Sequence, residues 1–314
     1  MNTISDIPVL FFPFSRPLYA RQTFDAIKKV KPKKFYFYCD KASEGKDEEI
    51  KNNNIIRNYI KEIDWECDLK TWFRDENIGV YQSILDAIDW FFEHEEMGII
   101  LEEDCVPSMA FFDFCLQLLP KYKNDYRVWY IGGNNLIEEY TPNTYDYYFT
   151  FFAYQWGWAT WANRWKKIIR TGFDVEKIIE YKLYDQLYAS KRGAKRAYKF
   201  LKKEKNENGL WKPMSWDYIF NMTMRMNGGF GIAPRINLVT NIGVFGTNSK
   251  GINKLTHNRK IPSNSNYPIQ NHPPFIVPDF RYNQIFIKKI LLKENIFINR
   301  LFVIVNKFLN FDKK

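Results

Sequence analysis

Glu102, Glu103 and Asp104 follow directly on a short apolar run, residues 98–101, and a proline and an aromatic stretch come after them. A continuously apolar run reads as a buried parallel strand. Ligands of open α/β sheets bind outside the carboxyl ends of such strands. Three carboxylates placed there repel one another unless a cation or a hydrogen-bond donor offsets them. The competing reading is a solvated acidic turn, because acids are mostly exposed. Three further charged residues stand where a site could use them: Arg16 after the first apolar run, Asp40 at the end of the second, and Asp217 beside Trp216 in the second half. Each has a plain structural alternative. Arg16 would be a solvated helix-start residue, Asp40 a turn acid, and Asp217 a first-turn acid favoured by the helix dipole with Ser215 as the N-cap.

Alternating elements have to position these groups. Residues 7–14 (IPVLFFPF) read as a first buried strand, and Arg16-Pro17 opens a helix, proline being tolerated in a first turn. Residues 33–40 form a second strand ending in Asp40, residues 47–63 are helical in pattern, and residues 69–73 are a short third strand. Asn77-Ile78-Gly79 turns into a long helix whose Val80, Ile84, Ala87, Ile88 and Phe91 share one face. The acid-bearing strand follows, then a helix over 111–119 and a strand over 127–133. Alternation through residue 133 predicts an α/β fold with a parallel sheet and right-handed crossovers.

Beyond that point the alternation stops. An aromatic strand over 147–154 leads into Trp156, Trp158 and Trp161 around Gly157. Flat indole faces suit sugar rings, whereas the packing alternative places large aromatics in the core. Helical, strongly basic sequence fills 174–205, and a helix runs from near Ser215 to Gly228 and Gly229. The organisation expected is a catalytic domain over 1–260, divided into a nucleotide-binding half (1–133) and an acceptor half (134–260). A linker over 261–280 and a basic amphipathic tail over 281–314 follow.

The 314 residues can bury a large core, as one α/β domain or two poorly separated ones. No stretch approaches the roughly 20 apolar residues of a membrane span, and the start, MNTISDIPVLFF, lacks the basic region of a signal peptide. The expectation is a cytoplasmic protein. Cys39, Cys67, Cys105 and Cys115 show no metal-ligand spacing and are expected to be reduced. The formal charge of +10 is concentrated: residues 190–208 and 281–314 carry +6 each, leaving −2 for the remainder. That argues against a nucleic-acid groove spread over the fold and favours local contact with an anionic surface or a phosphate-bearing substrate. The run at 190–208 reads either as a solvated helix face or as a flap over phosphates.

Taken in order, IPVLFFPFSRP, FYFYCD, NIGVYQSILDAIDWFF, IILEEDCVPSMAFFDF, WGWATW and MSWDYIF resemble the catalytic domain of the N-acetylglucosaminyltransferase I type and related small bacterial nucleotide-sugar transferases. The resemblance covers roughly residues 7 to 250 and implies a GT-A fold, with a mainly parallel sheet flanked by helices. It implies that Asp104 coordinates a divalent ion, Mn²⁺ or Mg²⁺, on the donor pyrophosphate. Glu102 and Glu103 would touch the sugar and ribose side, Arg16 and Asp40 would hold the nucleotide, and Asp217 would be the general base. The family's middle acid is Asp where this chain has Glu103. Relatives that carry a histidine after the NIG stretch have it where this chain has Asn248 and Ser249, with His257 the nearest candidate.

The chemistry implied is transfer from a UDP-sugar, N-acetylglucosamine or a related hexose, to a hydroxyl of a bacterial surface glycan or lipid-linked oligosaccharide, with inversion. A hard cation between the phosphates stabilises the departing diphosphate, and a carboxylate on the acceptor side takes the hydroxyl proton. Trp156, Trp158 and Trp216 are the candidate acceptor contacts. The rival readings are a nucleotidyltransferase, which should show a glycine-rich basic phosphate loop after the first strand, and a non-catalytic carbohydrate-binding scaffold. In the tail, Ile285, Ile290, Leu291, Phe297, Leu301, Phe302 and Val305 interleave with Lys288, Lys289, Lys293, Arg300 and Lys307. This pattern predicts peripheral attachment to the anionic inner face of the cell membrane; the alternative is a helix folded against the catalytic body or another subunit.

Overall fold

The computed structural model describes residues 3–141, 143–152, 154–187, 191–204, 210–211, 215–243 and 267–291. The first half runs β1 Val9–Phe12, α1 Pro17–Val30, β2 Lys34–Cys39, α2 Asp47–Arg57, β3 Asp68–Phe73, α3 Val80–His94, β4 Met97–Glu102, β5 Cys105–Pro107, α4 Met109–Tyr122 and β6 Val128–Gly132. The second half runs β7 Tyr147–Thr150, β8 Trp158–Trp161, α5 Ala162–Trp165, β9 Phe173–Asp174, α6 Val175–Glu180, α7 Leu183–Leu187, α8 Lys191–Glu204, β10 Leu210–Trp211, α9 Trp216–Met226, β11 Phe230–Pro234, β12 Val239–Asn241 and α10 Phe280–Phe286.

Among the described residues the main sheet has eight strands in the order β3-β2-β1-β4-β8-β6-β11-β7. The strands β3, β2, β1 and β4 pair in parallel, as do β6 and β11. Only β8 and β7 run against their neighbours. The α/β architecture with a mainly parallel sheet flanked by helices is thus the one expected. Alternate residues explain why the central strands look continuously apolar. Val9 and Phe11 of β1 join Phe24 and Ile27 of α1 and the phenylalanines of α4 in one core. Leu10 and Phe12 join Ile84, Ile88 and Phe91 of α3 and Ile219 and Phe220 of α9 in the other.

Helix starts follow the local chemistry. Pro17 opens α1, and the Ser108 side chain accepts from the Phe111 N–H at α4. Gly79 precedes α3 with φ +81°, where a side chain would be strained. The helix over 47–63 divides into α2 and a 3₁₀ turn, Asn58–Glu62.

The sequence pattern did not show β8 entering between β4 and β6. It is buried along its whole length, as a strand with neighbours on both sides and cores on both faces must be. Through its pairing with β4, the two halves of the chain share one sheet. The aromatic strand is shorter than expected, ending at Thr150. In α8 the basic side chains Lys191, Arg192, Lys195 and Arg196 are exposed while Ala194 and Leu201 are buried, a solvated face on a docked helix.

The start of the tail is a correction. Tyr282, Phe286, Ile287 and Ile290 are buried against Leu136, Ile137, Tyr140, Tyr148 and Phe152, with Ile285 partly buried beside them. Burying each such side chain contributes roughly 1.5–3 kcal/mol, so Ile285 and Ile290 serve the body and not a lipid face. Thr150 Oγ1 donates to Asn283 Oδ1 at 2.7 Å, which adds a polar tie. Within the stretch read as a linker, Gln270 and Asn271 donate their N–H groups to Asp146 Oδ2 at 2.7 and 2.8 Å. Phe297, Leu301, Phe302, Val305, Lys293, Arg300 and Lys307, and Asn248, Ser249 and His257, lie outside the described residues. Among the described residues no helix is long and apolar enough to cross a membrane.

Candidate functional site

Parallel pairing sets Phe12 of β1 opposite Glu102 of β4, so the loop after β1 meets the acids at the carboxyl edge of the sheet. The Phe14 N–H donates to Glu103 Oε2 at 2.6 Å. Arg16 donates through Nε to Glu103 Oε1, and its Nη2 donates to Asp104 Oδ2 at 2.7 Å. From α1, the Thr23 hydroxyl donates to the Glu103 carbonyl at 2.9 Å. On the other side, antiparallel pairing of β5 with β12 sets Cys105 opposite Asn241. Asn241 Nδ2 then reaches Asp104 Oδ1 at 3.3 Å, and the Ile242 N–H donates to the Asp104 carbonyl at 2.8 Å. A Cβ at Gly243 would collide with the Asp104 carboxylate, so this close backbone approach requires glycine.

Arg16 is the donor that the acid cluster needs. Burial disfavours its charge, but Glu103 and Asp104 outweigh that and raise its pKa. The Glu103 carboxyl is pushed above its ordinary value by burial, with Arg16 and the Phe14 N–H pulling the other way. Glu102 is displaced further: burial and the charges of Asp104 and Asp217 push its carboxyl well above the usual range despite Arg16. The second half of the chain thus brings the Asp217 charge within range of Glu102.

Asp217 lies in the first turn of α9 and is partly exposed. The expected cap is absent: the Ser215 side chain makes no capping bond, and its hydroxyl donates to Asp217 Oδ1 instead. Burial raises the Asp217 pKa, and the Ser215 hydroxyl and the Tyr218 N–H only partly offset it. The helix dipole therefore does not win here, and this carboxylate is a stronger base than a solvated aspartate.

Asp40 is buried at the end of β2. Its Oδ1 accepts from the Lys41 N–H at 2.9 Å and from the Ile78 N–H at 3.4 Å, at the entry to α3. Burial raises its pKa against those two bonds. Asn53 ties this corner to the acid cluster, donating to the carbonyls of Phe14 at 2.8 Å and Asp40 at 2.9 Å.

The tryptophans divide. Trp158 is fully buried and Trp216 is 6% exposed, with their rings stacked 5.7 Å apart. Trp165 and Phe220 pack around them. As acceptor contacts these two are corrected: both lie in the core, where no sugar reaches their faces. Trp161 is also buried and donates to the Leu119 carbonyl at 3.0 Å. Trp156 is partly exposed, 5.3 Å from the ring of Tyr154, and its carbonyl is held by Asn134 Nδ2 at 3.0 Å.

Phe14, Thr23, Asn241 and Gly243 were not singled out in the sequence. Backbone N–H groups carry no side-chain signal, and Asn241 reaches Asp104 only through the β5–β12 pairing. Among the described residues no group of three or more His, Cys, Asp or Glu is arranged to hold a metal ion. Asp104 offers hard oxygens but has Arg16 on one and Asn241 on the other. A cation there would have to share those oxygens with Arg16 and Asn241 and complete its shell with ligand phosphates, a mode open to Mg²⁺ and Mn²⁺.

The site and fold define a mixed α/β protein with an acidic centre at the carboxyl edge of a mainly parallel sheet. No family model matches the chain, and no curated protein does. Among solved structures it is similar to apo UDP-glucose pyrophosphorylase (9% identity, 75% of this chain and 93% of that one, TM-score 0.36). It is also similar to the glycosyltransferase GlyE of Streptococcus pneumoniae (13% identity, 71% and 44%, TM-score 0.31). A third is HddC of Yersinia pseudotuberculosis (9% identity, 50% and 78%, TM-score 0.31). Similarity at this level leaves the functional assignment to the geometry of the site.

Proposed function

We propose that the chain is a metal-dependent, inverting glycosyltransferase of GT-A type. It would move a sugar, N-acetylglucosamine or a related hexose, from a UDP donor to a hydroxyl of a bacterial surface glycan or lipid-linked oligosaccharide. The work would take place at the cytoplasmic face of the membrane. The observation that carries this reading is the approach of two carboxylate sets: Glu102–Asp104 lie at the carboxyl end of β4, and Asp217 of α9, whose charge acts on Glu102, follows Trp216, which stacks on Trp158 beside β4. The resemblance to the N-acetylglucosaminyltransferase I type supports the same assignment of roles.

In this scheme Asp217 accepts the proton of the acceptor hydroxyl, and its raised pKa favours that transfer. The Ser215 hydroxyl fixes one carboxylate oxygen and so orients the other. Arg16, held by Glu103 and Asp104, would present positive charge to the donor phosphates. A divalent ion held by Asp104 and those phosphates would supply further neutralisation of the leaving diphosphate. Asp40, Glu102 and Glu103 bound the nucleotide and sugar side. A nucleotidyltransferase is disfavoured because FPFSRP, residues 12–17, is not a glycine-rich phosphate loop.

A panel of UDP-, GDP-, dTDP- and CMP-sugars with and without Mn²⁺ tests the reading by thermal shift, since a ligand of the native state raises apparent stability. A Mn²⁺-dependent rise with a UDP-sugar, followed by slow donor hydrolysis, is expected. Glycan binding without turnover of any donor would favour the scaffold instead.

A further inference from the structure

A second groove, of about 460 Å³, lies away from the acid cluster, between the edge strand β3 and helix α3. It is lined by Thr71, Trp72, Asp86, Asp89, Trp90 and Glu93. The last four stand at i, i+3, i+4 and i+7 of α3, which is one helix face. The groove is three strand positions from β4 in the sheet order, about 14 Å at the usual strand spacing. Its volume falls among small-ligand sites, roughly 300–1,000 Å³.

Trp72 and Trp90 are both half-buried, with ring centroids 5.7 Å apart and planes inclined at 65°. Burying indole faces in the core is the ordinary use of tryptophan, yet these two border an open groove. Among the described residues neither indole N–H has a hydrogen-bond partner, and neither is sealed from solvent. The Glu93 carboxylate is likewise without a partner among the described residues, and Glu93 is exposed, whereas the Thr71 side chain lies on the other face of β3, with Leu69 and Phe73. Three polar groups thus border the groove with bonding capacity to spare: the two indole N–H donors and the Glu93 carboxylate as acceptor.

Charge decides which ligand suits them. Asp86 is held by Arg74 Nη2 and by Gln82 Nε2. Asp89 accepts from Arg170 at 2.7 and 2.5 Å and from Trp165 Nε1 at 2.6 Å. With each aspartate matched by a guanidinium, the groove carries one uncompensated charge, that of Glu93. The Arg74 guanidinium sits 4.2 Å from the centre of the Trp72 ring, where it would repel a cation seeking that ring. An anion would face Glu93. What remains is a neutral ligand that both donates and accepts hydrogen bonds and presents apolar ring faces, and a saccharide has that chemistry.

We propose that the groove between β3 and α3 is a secondary glycan-binding site for a neutral oligosaccharide, separate from the transfer centre. On the transferase reading above, on which the choice of a glycan rests, it would hold a distal part of the acceptor or product chain and keep it near the active site. Such tethering raises the effective concentration of the acceptor terminus without any contact at the reacting atoms.

Saturation-transfer NMR and calorimetry on the full chain, without nucleotide, test it with trimers of N-acetylglucosamine, glucose and galactose. At least one trimer is expected to bind, with affinity falling on the order of tenfold in Trp90→Ala. Trp90 also packs on Tyr36, so Glu93→Gln, at an exposed unpartnered residue, provides the second variant. It should weaken the same trimer and leave the melting temperature and donor hydrolysis unchanged. The idea is overturned if no trimer binds at millimolar concentration, if both variants bind as the parent does, or if choline occupies the groove and sugars do not. Groove binding in a protein that turns over no donor would refute the transferase reading alone. Normal transfer with no groove binding would refute the groove alone.

Discussion

Arg16 spans the acid cluster, its Nη2 lying 2.7 Å from Asp104 Oδ2 while its Nε donates to Glu103. The two carboxylates are about one-tenth exposed, at 11% and 9%, and the arginine 30%. A buried carboxylate that loses its donor retains the cost of desolvation. Arg16→Ala should therefore destabilise the fold by about 1–3 kcal/mol. The loss should shrink when Glu103→Gln is added, because one of the two uncompensated charges is gone. Urea denaturation of both variants at pH 7 checks this, and equal losses would show that Arg16 acts by packing alone.

Asp104→Asn keeps the size of the side chain and its place against Gly243 while removing its charge. Mn²⁺-dependent UDP binding should disappear with the circular dichroism unchanged. Calorimetry decides, and an unaltered Mn²⁺-dependent affinity would remove Asp104 from the metal role.

Asp217→Asn is expected to retain donor binding and lose transfer by ~10²–10⁴-fold. Stability should move the other way. Because the folded-state pKa of Asp217 is raised, its contribution is fully present below the unfolded value of about 3.9. It is lost as pH rises through the folded pKa. At pH 7 the partly desolvated charge is a cost, so Asp217→Asn should melt above the parent there, with the gap closing towards pH 4. A variant that melts below the parent at pH 7 would contradict the assigned shift. Product NMR provides the stereochemical check, since retention of the donor's anomeric configuration would rule out a single displacement with Asp217 as base.

Trp158→Ala should cost about 3–5 kcal/mol, the usual loss for a large aromatic removed from a core. Trp156→Ala, at a partly exposed position, should cost much less and weaken acceptor binding if Trp156 meets the sugar. Thermal melts paired with transfer assays separate the two residues.

Truncation after Leu291 and truncation after Pro278 should differ sharply. The shorter chain loses Tyr282, Phe286, Ile287 and Ile290 from a core they share with Tyr148 and Phe152, so its melting temperature should collapse. The longer one keeps that core and isolates any role of the later basic residues. Its sedimentation with anionic and neutral vesicles, compared with the full chain, tests membrane attachment.

The first half of the chain could be read almost directly from its residues. Strands buried on both faces are apolar throughout, helices repeat every three to four residues, and Gly79 or Pro17 punctuate them, all of which are local constraints. The acids at 102–104, Arg16 and Asp40 stood out for the same reason, because charge at the end of an apolar run is visible without knowing what surrounds it. Partnership was not visible. That Arg16 grips Glu103 and Asp104, or that Asn241 reaches Asp104, depends on parallel β1–β4 and antiparallel β5–β12 pairings between residues far apart in sequence. The tryptophans show the limit most clearly. Trp156, Trp158 and Trp216 have the same side chain, but Trp158 sits in the strand that enters between β4 and β6, and α9 lays Trp216 against it. Of the three only Trp156 stays partly exposed, because burial is a property of what packs around a residue and not of the residue itself.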